Sequence, residues 1–313
     1  MNMASTRKAS TSIVASFQNY YGFTQQPFSL APNTEFYVEI KPQLECFNVL
    51  SYALQAGEGF IKITGEVGTG KTLLCRRLLN SLKDEGIVSV YIPNPALSPE
   101  ALWRAMGHEL GLQVKSLDIH QVQEKIQQCL LLLAQEGRAV VLVVDEAQCI
   151  PEDSLEALRL ISNLEAESRS LIQIVLFGQP ELNTLLAQNR FRQLKQRITY
   201  SAELKPMDDT SLQHYIQQRM ILAGYRGMPI FEKKALKLMV RATEGVPRLI
   251  NIIAQKALFS AFGRGEHHVS EANVRAAVND TEGAKQLSNN KFYWREVLLV
   301  ILLSSWVLVH EFS

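Results

Sequence analysis

Cysteine is scarce in this sequence: four residues in 313, Cys46, Cys75, Cys129 and Cys149, with no C-x-x-C pair among them. Such spacing argues against a thiolate metal site and against a disulfide framework, so the thiols read as reduced and structural. An excess of charge of one sign is missing too. Lys and Arg total 32 against 31 Asp and Glu, a formal net charge of +1, which gives no global electrostatic case for a nucleic-acid partner and leaves only a local basic face open. Residues 1–17 are rich in Ser, Thr and Ala and lack an apolar run long enough for the core of a signal sequence; they read as a disordered tail or an upstream start. His267-His268 has no ligand-spaced partner and reads as surface loop. What the chain does have is apolar residues, 47% of the total, enough to bury a large core spread over two domains.

Phe60–Leu74, FIKITGEVGTGKTLL, organises the rest. An alternating apolar run breaks into a glycine-rich loop and then into helical spacing, which is the pattern strand, phosphate loop, helix. Gly65, Glu66, Val67, Gly68, Thr69, Gly70, Lys71 and Thr72 form a complete Walker A motif leading into Leu73. Its glycines let backbone N–H groups turn inward onto a polyphosphate, Lys71 is placed to reach the β and γ phosphates, and Thr72 to put a hydroxyl on Mg²⁺.

Further along, Ala139–Val144 is apolar without alternation, the signature of a strand buried on both faces of a parallel sheet. It runs into Asp145-Glu146-Ala147-Gln148, a Walker B pattern: Asp145 a carboxylate for Mg²⁺, Glu146 a base for the attacking water. A second buried strand, Leu171–Phe177, ends at Gln179, which either lies beside the γ-phosphate or caps the helix that follows. Asn189–Leu204 carries Arg190, Arg192, Lys195 and Arg197 ahead of a last strand, either as a solvated face or with one arginine reaching a neighbouring subunit's nucleotide.

Ahead of the Walker A strand, Asn19–Pro32 alternates aromatics with Gly and Pro and reads as a segment wrapped over a domain; Tyr21, Phe23 and Phe28 either pack near an adenine or serve as anchors. From Lys205 the pattern turns all-helical, with stretches at 210–223, 232–243, 248–261 and 271–279 and with Gly224, Gly245 and Gly263 as stops. Gly245-Val246-Pro247-Arg248 opens the third of these, and Arg248 is either a lid cation reaching the nucleotide or a surface arginine. Residues 281–291 read as linker. Val297–Val309 is uncharged over thirteen residues, with aromatics and Lys291 and Arg295 on its flanks. It fits a short membrane-anchoring helix with the preceding domains on the cytoplasmic face, or a docking helix.

Both Walker motifs, Gly178-Gln179-Pro180-Glu181-Leu182, Arg197, Gly245-Val246-Pro247-Arg248 and the opening Tyr20-Tyr21-Gly22-Phe23 together resemble AAA+ ATPases of the ExeA/GspA type, most of all those of mannose-sensitive haemagglutinin (MSHA) type IV pilus biogenesis. The resemblance implies an α/β architecture: an αβα P-loop core with a parallel sheet over residues 19–205, a smaller helical lid over 206–280, and a transmembrane helix over 292–313. It implies sensor 1 at Gln179, sensor 2 at Arg248, an arginine finger at Arg197, ATP and Mg²⁺ as ligands, and a homo-oligomer acting with pilus or secretion assembly proteins at the inner membrane. The alternative is a DNA-associated AAA+ regulator of the transposition-ATPase kind, against which stand the near-neutral charge and the apolar terminus.

Overall fold

The computed structural model describes residues 15–30, 36–57, 59–166 and 169–286. Its strands are β1 (Phe60–Thr64), β2 (Val88–Ile92), β3 (Val140–Val144), β4 (Glu165–Ala166), β5 (Arg169–Ser170), β6 (Gln173–Gly178) and β7 (Ile198–Glu203). Five of these form one sheet in the order β2-β3-β6-β1-β7, every neighbouring pair parallel, while β4 and β5 pair antiparallel by themselves. Parallel order needs a crossover after each strand, and the helices that supply the crossovers cover both faces. β3 and β6 are therefore buried along their whole length, which is why their sequences do not alternate.

The period-two rule still sorts their side chains. Ile61, Ile63, Val141, Val143, Val175 and Phe177 pack with α2 (Lys41–Gln55) and α3 (Lys71–Asp84). Phe60, Val140, Leu142, Val144, Ile174 and Leu176 pack on the opposite face with α4 (Pro99–Glu109), α5 (Ile119–Gln135), α6 (Glu152–Ile161), α7 (Glu181–Leu186) and α8 (Arg192–Arg197). The expected elements recur with ends shifted by a residue or two, the usual fraying of helix and strand termini.

Beyond β7, α9 (Asp209–Leu222), α10 (Lys233–Thr243), α11 (Pro247–Gly263) and α12 (Glu271–Asn279) build a helical layer. Gly224 (φ +96°) and Gly245 (φ +76°) end helices in the left-handed region, but Gly263 lies inside α11 and the turn falls at Gly265 (φ +69°). Phe17, Tyr21, Phe23, Phe28 and Phe36, from a short helix over residues 15–21 (α1) and the strap after it, share this layer's core with Leu212, Ile216, Ile250 and Leu258. Tyr21, Phe23 and Phe28 are thus anchors. Exposed His267 stacks on Tyr20, centroids 4.5 Å apart. Arg219 fastens the strap: Nε donates to Pro27 O at 2.7 Å, Nη1 to Phe36 O at 3.3 Å and Nη2 to Ser29 O at 3.2 Å.

All four cysteines are free, Cys46 and Cys75 deep in the core. Among the described residues no helix is long and apolar enough to cross a membrane. The tail at 1–14 and the apolar run Val297–Val309 lie outside the described residues.

Candidate nucleotide site

Strand order brings the motifs together. β6 lies between β1 and β3, so its tip stands between the Walker A loop and the acid pair, with Thr64 level with Gly178 and Val144 with Leu176. Two strand spacings, roughly 10 Å, separate β1 from β3. Ligands of open parallel sheets bind at this carboxyl edge.

In the loop after β1, Gly68 (φ +83°) and Gly70 (φ +100°) hold conformations that a side chain resists. Gly70 is the N-cap of α3 and supplies no side-chain cap, which leaves first-turn N–H groups for an anion. Thr69 ties the loop internally, its hydroxyl donating to Glu66 O at 2.8 Å. Lys71, only 5% exposed, donates from Nζ to Gly65 O at 2.7 Å and to Glu66 O at 2.9 Å. Burial pulls the Lys71 ammonium below its ordinary range, opposed by the carboxylates of Glu146, Asp145, Glu66 and Glu181.

Asp145 is 3% exposed at the tip of β3. Burial pushes its carboxyl above the ordinary range; hydrogen bonds from the Glu146 N–H and the Thr72 hydroxyl pull the other way. The Thr72 hydroxyl of Walker A and the Asp145 carboxylate of Walker B thus influence one another, and the two motifs each supply a hard oxygen. Such a set fits Mg²⁺, which takes one or two protein oxygens and completes its shell with water and phosphate. No cluster of three or more His, Cys, Asp or Glu able to hold a metal occurs among the described residues.

Glu146 stands in the left-handed region (φ +50°, ψ +40°), a conformation that costs a non-glycine residue about 1 kcal/mol. Its Oε2 accepts from Gln148 Nε2 at 2.6 Å and from Gln179 Nε2 at 3.3 Å. The Gln179 side chain therefore faces Glu146 rather than capping α7, which has no side-chain cap. Gln148 escaped the sequence reading. Its position two residues past the acid pair was the one available signal, and helical or strand spacing would not have turned it back toward Glu146.

The helical layer closes the site from above. Arg248 N donates to Gly68 O at 3.2 Å, and a Cβ at Gly68 would come within 2.8 Å of Arg248 Cβ. A Cβ at Gly245 would collide with Met207 O, while Met207 N donates to Gly245 O at 2.9 Å, so the connection out of β7 is interlocked with the start of α11. Between the layers lies a cavity of ≈ 470 Å³ lined by Val67, Gly68, Gly70, Lys71, Thr72, Leu73, Glu146, Gln179 and Arg248, with Ser29, Leu30, Phe36 and Val38 from the strap and Tyr215, Arg219 and Asn251 from the lid. That volume suits a nucleotide-sized ligand. Arg197 is not among the lining residues; its Nη1 donates to Ser162 Oγ at 2.8 Å and Ser162 O at 3.2 Å, at the end of α6. Arg190 pairs with Glu152.

Residues 54–186 match the family described as AAA domain. Over 287 residues the chain is 37% identical to the general secretion pathway protein A of Aeromonas hydrophila, covering 91% of this chain and 51% of that protein. This chain thus spans about half the length of that curated relative. Among solved structures, the Aeropyrum pernix ORC2 protein aligns with TM-score 0.61 and 19% identity over 86% of this chain and 74% of its own. Cdc6p of Pyrobaculum aerophilum aligns with TM-score 0.61 and 18% identity over 80% and 69%. The Thermotoga maritima RuvB branch migration motor aligns with TM-score 0.51 and 17% identity over 77% and 69%. At these identities the solved structures speak for the fold alone. With the Walker A loop and the acid pair at one sheet edge beneath a helical layer, the chain carries a domain that matches the AAA family and is similar to the general secretion pathway protein A.

Proposed function

We propose that this protein is an Mg²⁺-dependent ATPase, works as a homo-oligomer, and serves the assembly of a secretion apparatus or an MSHA-like type IV pilus from the cytoplasmic face of the inner membrane, as an MshM-like branch of its family. The observation that carries the catalytic part is the convergence of Lys71, Thr72, Glu146 and Gln179 at one cavity with Arg248, and with Asp145 buried beside Thr72 and Glu146. Bound Mg²⁺, held by Thr72 and Asp145, would neutralise charge on the phosphate oxygens. Lys71 exchanges its loop carbonyls for phosphate oxygens. Glu146 accepts a proton from the attacking water as the bond from the γ-phosphorus to its bridging oxygen breaks, releasing ADP and phosphate. Arg248, bonded through its own N–H to the loop, carries the change to α11 and the lid.

Two further observations favour oligomer and membrane. Arg197 lies outside its own subunit's cavity, as a residue serving a neighbour's nucleotide must. Lys233, Lys234, Lys237 and Arg241 lie exposed on α10, and Lys285, one residue before the described chain ends, donates its N–H to Ala242 O at 2.9 Å. The described residues thus end beside a basic helix, a surface that suits an anionic bilayer. Fractionation of cells carrying the full chain or a chain ending at residue 291 tests the reading. The full chain is expected in the membrane pool and the shortened one in the soluble pool; equal distribution of both would overturn membrane attachment.

A further inference from the structure

We propose that Gln148 is a positioning residue for ATP hydrolysis, a rigid amide strut that fixes the Glu146 carboxylate against the tip of β6. The proposal rests on the ATPase reading of the site. Main-chain N–H groups only donate, so the bond of 2.9 Å between Gln179 N and Gln148 must end on the amide oxygen Oε1. That fixes the orientation of the amide and turns its NH₂ toward Glu146 Oε2, 2.6 Å away. The Gln179 side chain donates to the same oxygen at 3.3 Å, so two amides grip Oε2 and neither engages Oε1. The carboxylate is thereby clamped by one oxygen, with the other left for a water.

The local structure is built for this contact. Glu146 in the left-handed region reverses the chain, and the single 3₁₀ turn Ala147–Cys149 that follows, closed by Cys149 N donating to Glu146 O at 2.8 Å, swings residue 148 back over residue 146. Gly178 makes room: a Cβ there would come within 3.4 Å of Gln148 Oε1 and 2.8 Å of Leu182 Cδ2. The strut spans two strands. A displacement of the β6 tip would move Gln148 and Glu146 together, which couples the γ-phosphate side of the cavity to the base.

Two variants separate this role from a merely structural one. Gln148→Glu keeps the size and the acceptor for Gln179 N–H but loses the donor to Glu146. Gln148→Met keeps the volume and loses both bonds. Turnover, KM and affinity for a fluorescent ATP analogue are measured for each, alone and combined with Glu146→Gln, with thermal melting as the check on folding. For both Gln148 variants kcat is expected to fall about 10–100-fold with nucleotide affinity kept within about threefold, the size of loss that follows a misplaced catalytic group. In the Glu146→Gln background the further loss should be under about twofold, because residues acting as one unit are not additive. If Gln148→Glu hydrolyses ATP within about twofold of the parent, raises KM with kcat unchanged, or multiplies its loss with that of Glu146→Gln, the strut is refuted. Failure of the ATPase reading would look different: the parent protein itself would then show no turnover of Mg·ATP.

Discussion

Two regions of the molecule bury positive charge, and they do it in different ways. Arg219, in the helical layer, is 7% exposed and has each guanidinium nitrogen bonded to a main-chain carbonyl of the strap, from Pro27, Ser29 and Phe36. Lys71, in the sheet layer, is buried as deeply, but its two carbonyl partners belong to the loop it sits on. Burial pulls both cations below their ordinary ranges. The first charge is saturated by a segment about 190 residues away and serves as a fastening; the second holds bonds that a phosphate can replace. Asp145, also buried, belongs with Lys71. A buried charge whose partners lie on its own glycine loop marks the site, and one tied to a segment distant in sequence marks the scaffold.

That contrast can be pressed hardest at Glu146. Glu146→Gln should cut turnover by about 10²–10⁴-fold while nucleotide affinity holds, as loss of a general base does; steady-state hydrolysis and equilibrium binding measure the two. Next comes the fastening. Arg219→Ala leaves three carbonyls without donors and should cost roughly 2–4 kcal/mol, read by thermal melting and by chymotrypsin cutting beside Phe28 and Phe36. Gly68→Ala should weaken ATP binding by about tenfold, since the added Cβ both strains a left-handed residue and pushes on Arg248. Gly59→Ala, where a Cβ would meet nothing within 4 Å, serves as the comparison.

The smallest effect concerns pH. Burial holds the folded pKa of Asp145 above its unfolded value, so the native state favours the protonated acid. Its contribution to stability is full below the unfolded value and declines as pH rises through the folded one. Without nucleotide, Asp145→Asn should therefore melt higher at pH 7 by about 2–4 °C, the shift expected for about 1 kcal/mol, with the difference shrinking toward pH 4.

Much of the sheet layer was legible because its signals are local. An unbroken apolar run gave β3, Gly-x₄-Gly-Lys-Thr gave the loop, and the acid pair marked the strand tip. Lys71, Thr72, Asp145, Glu146, Gln179 and Arg248 do gather at one place. The less legible parts depend on contacts distant in sequence or on backbone geometry that no spacing encodes. Tyr21, Phe23 and Phe28 belong to the helical layer's core, where Arg219 pins the strap across a sequence separation of 192 residues. The β4–β5 pair has too few residues to carry a pattern. Gln148 faces Glu146 only because a glutamate adopts a positive φ, something composition cannot announce. Gly263 was read as a helix stop, since any glycine near an apolar stripe's end looks alike until its φ is known.

The glycine loop and the acid pair are expected to serve one bound nucleotide. Thermal melting of the purified protein with and without Mg·ATP tests it directly, in the parent and in Lys71→Ala. Melting temperature is expected to rise with nucleotide in the parent, by about 2.7 kcal/mol of stabilisation at a hundredfold excess over Kd, and little or not at all in Lys71→Ala. An equal rise in both would place the nucleotide away from the glycine loop and overturn the shared site.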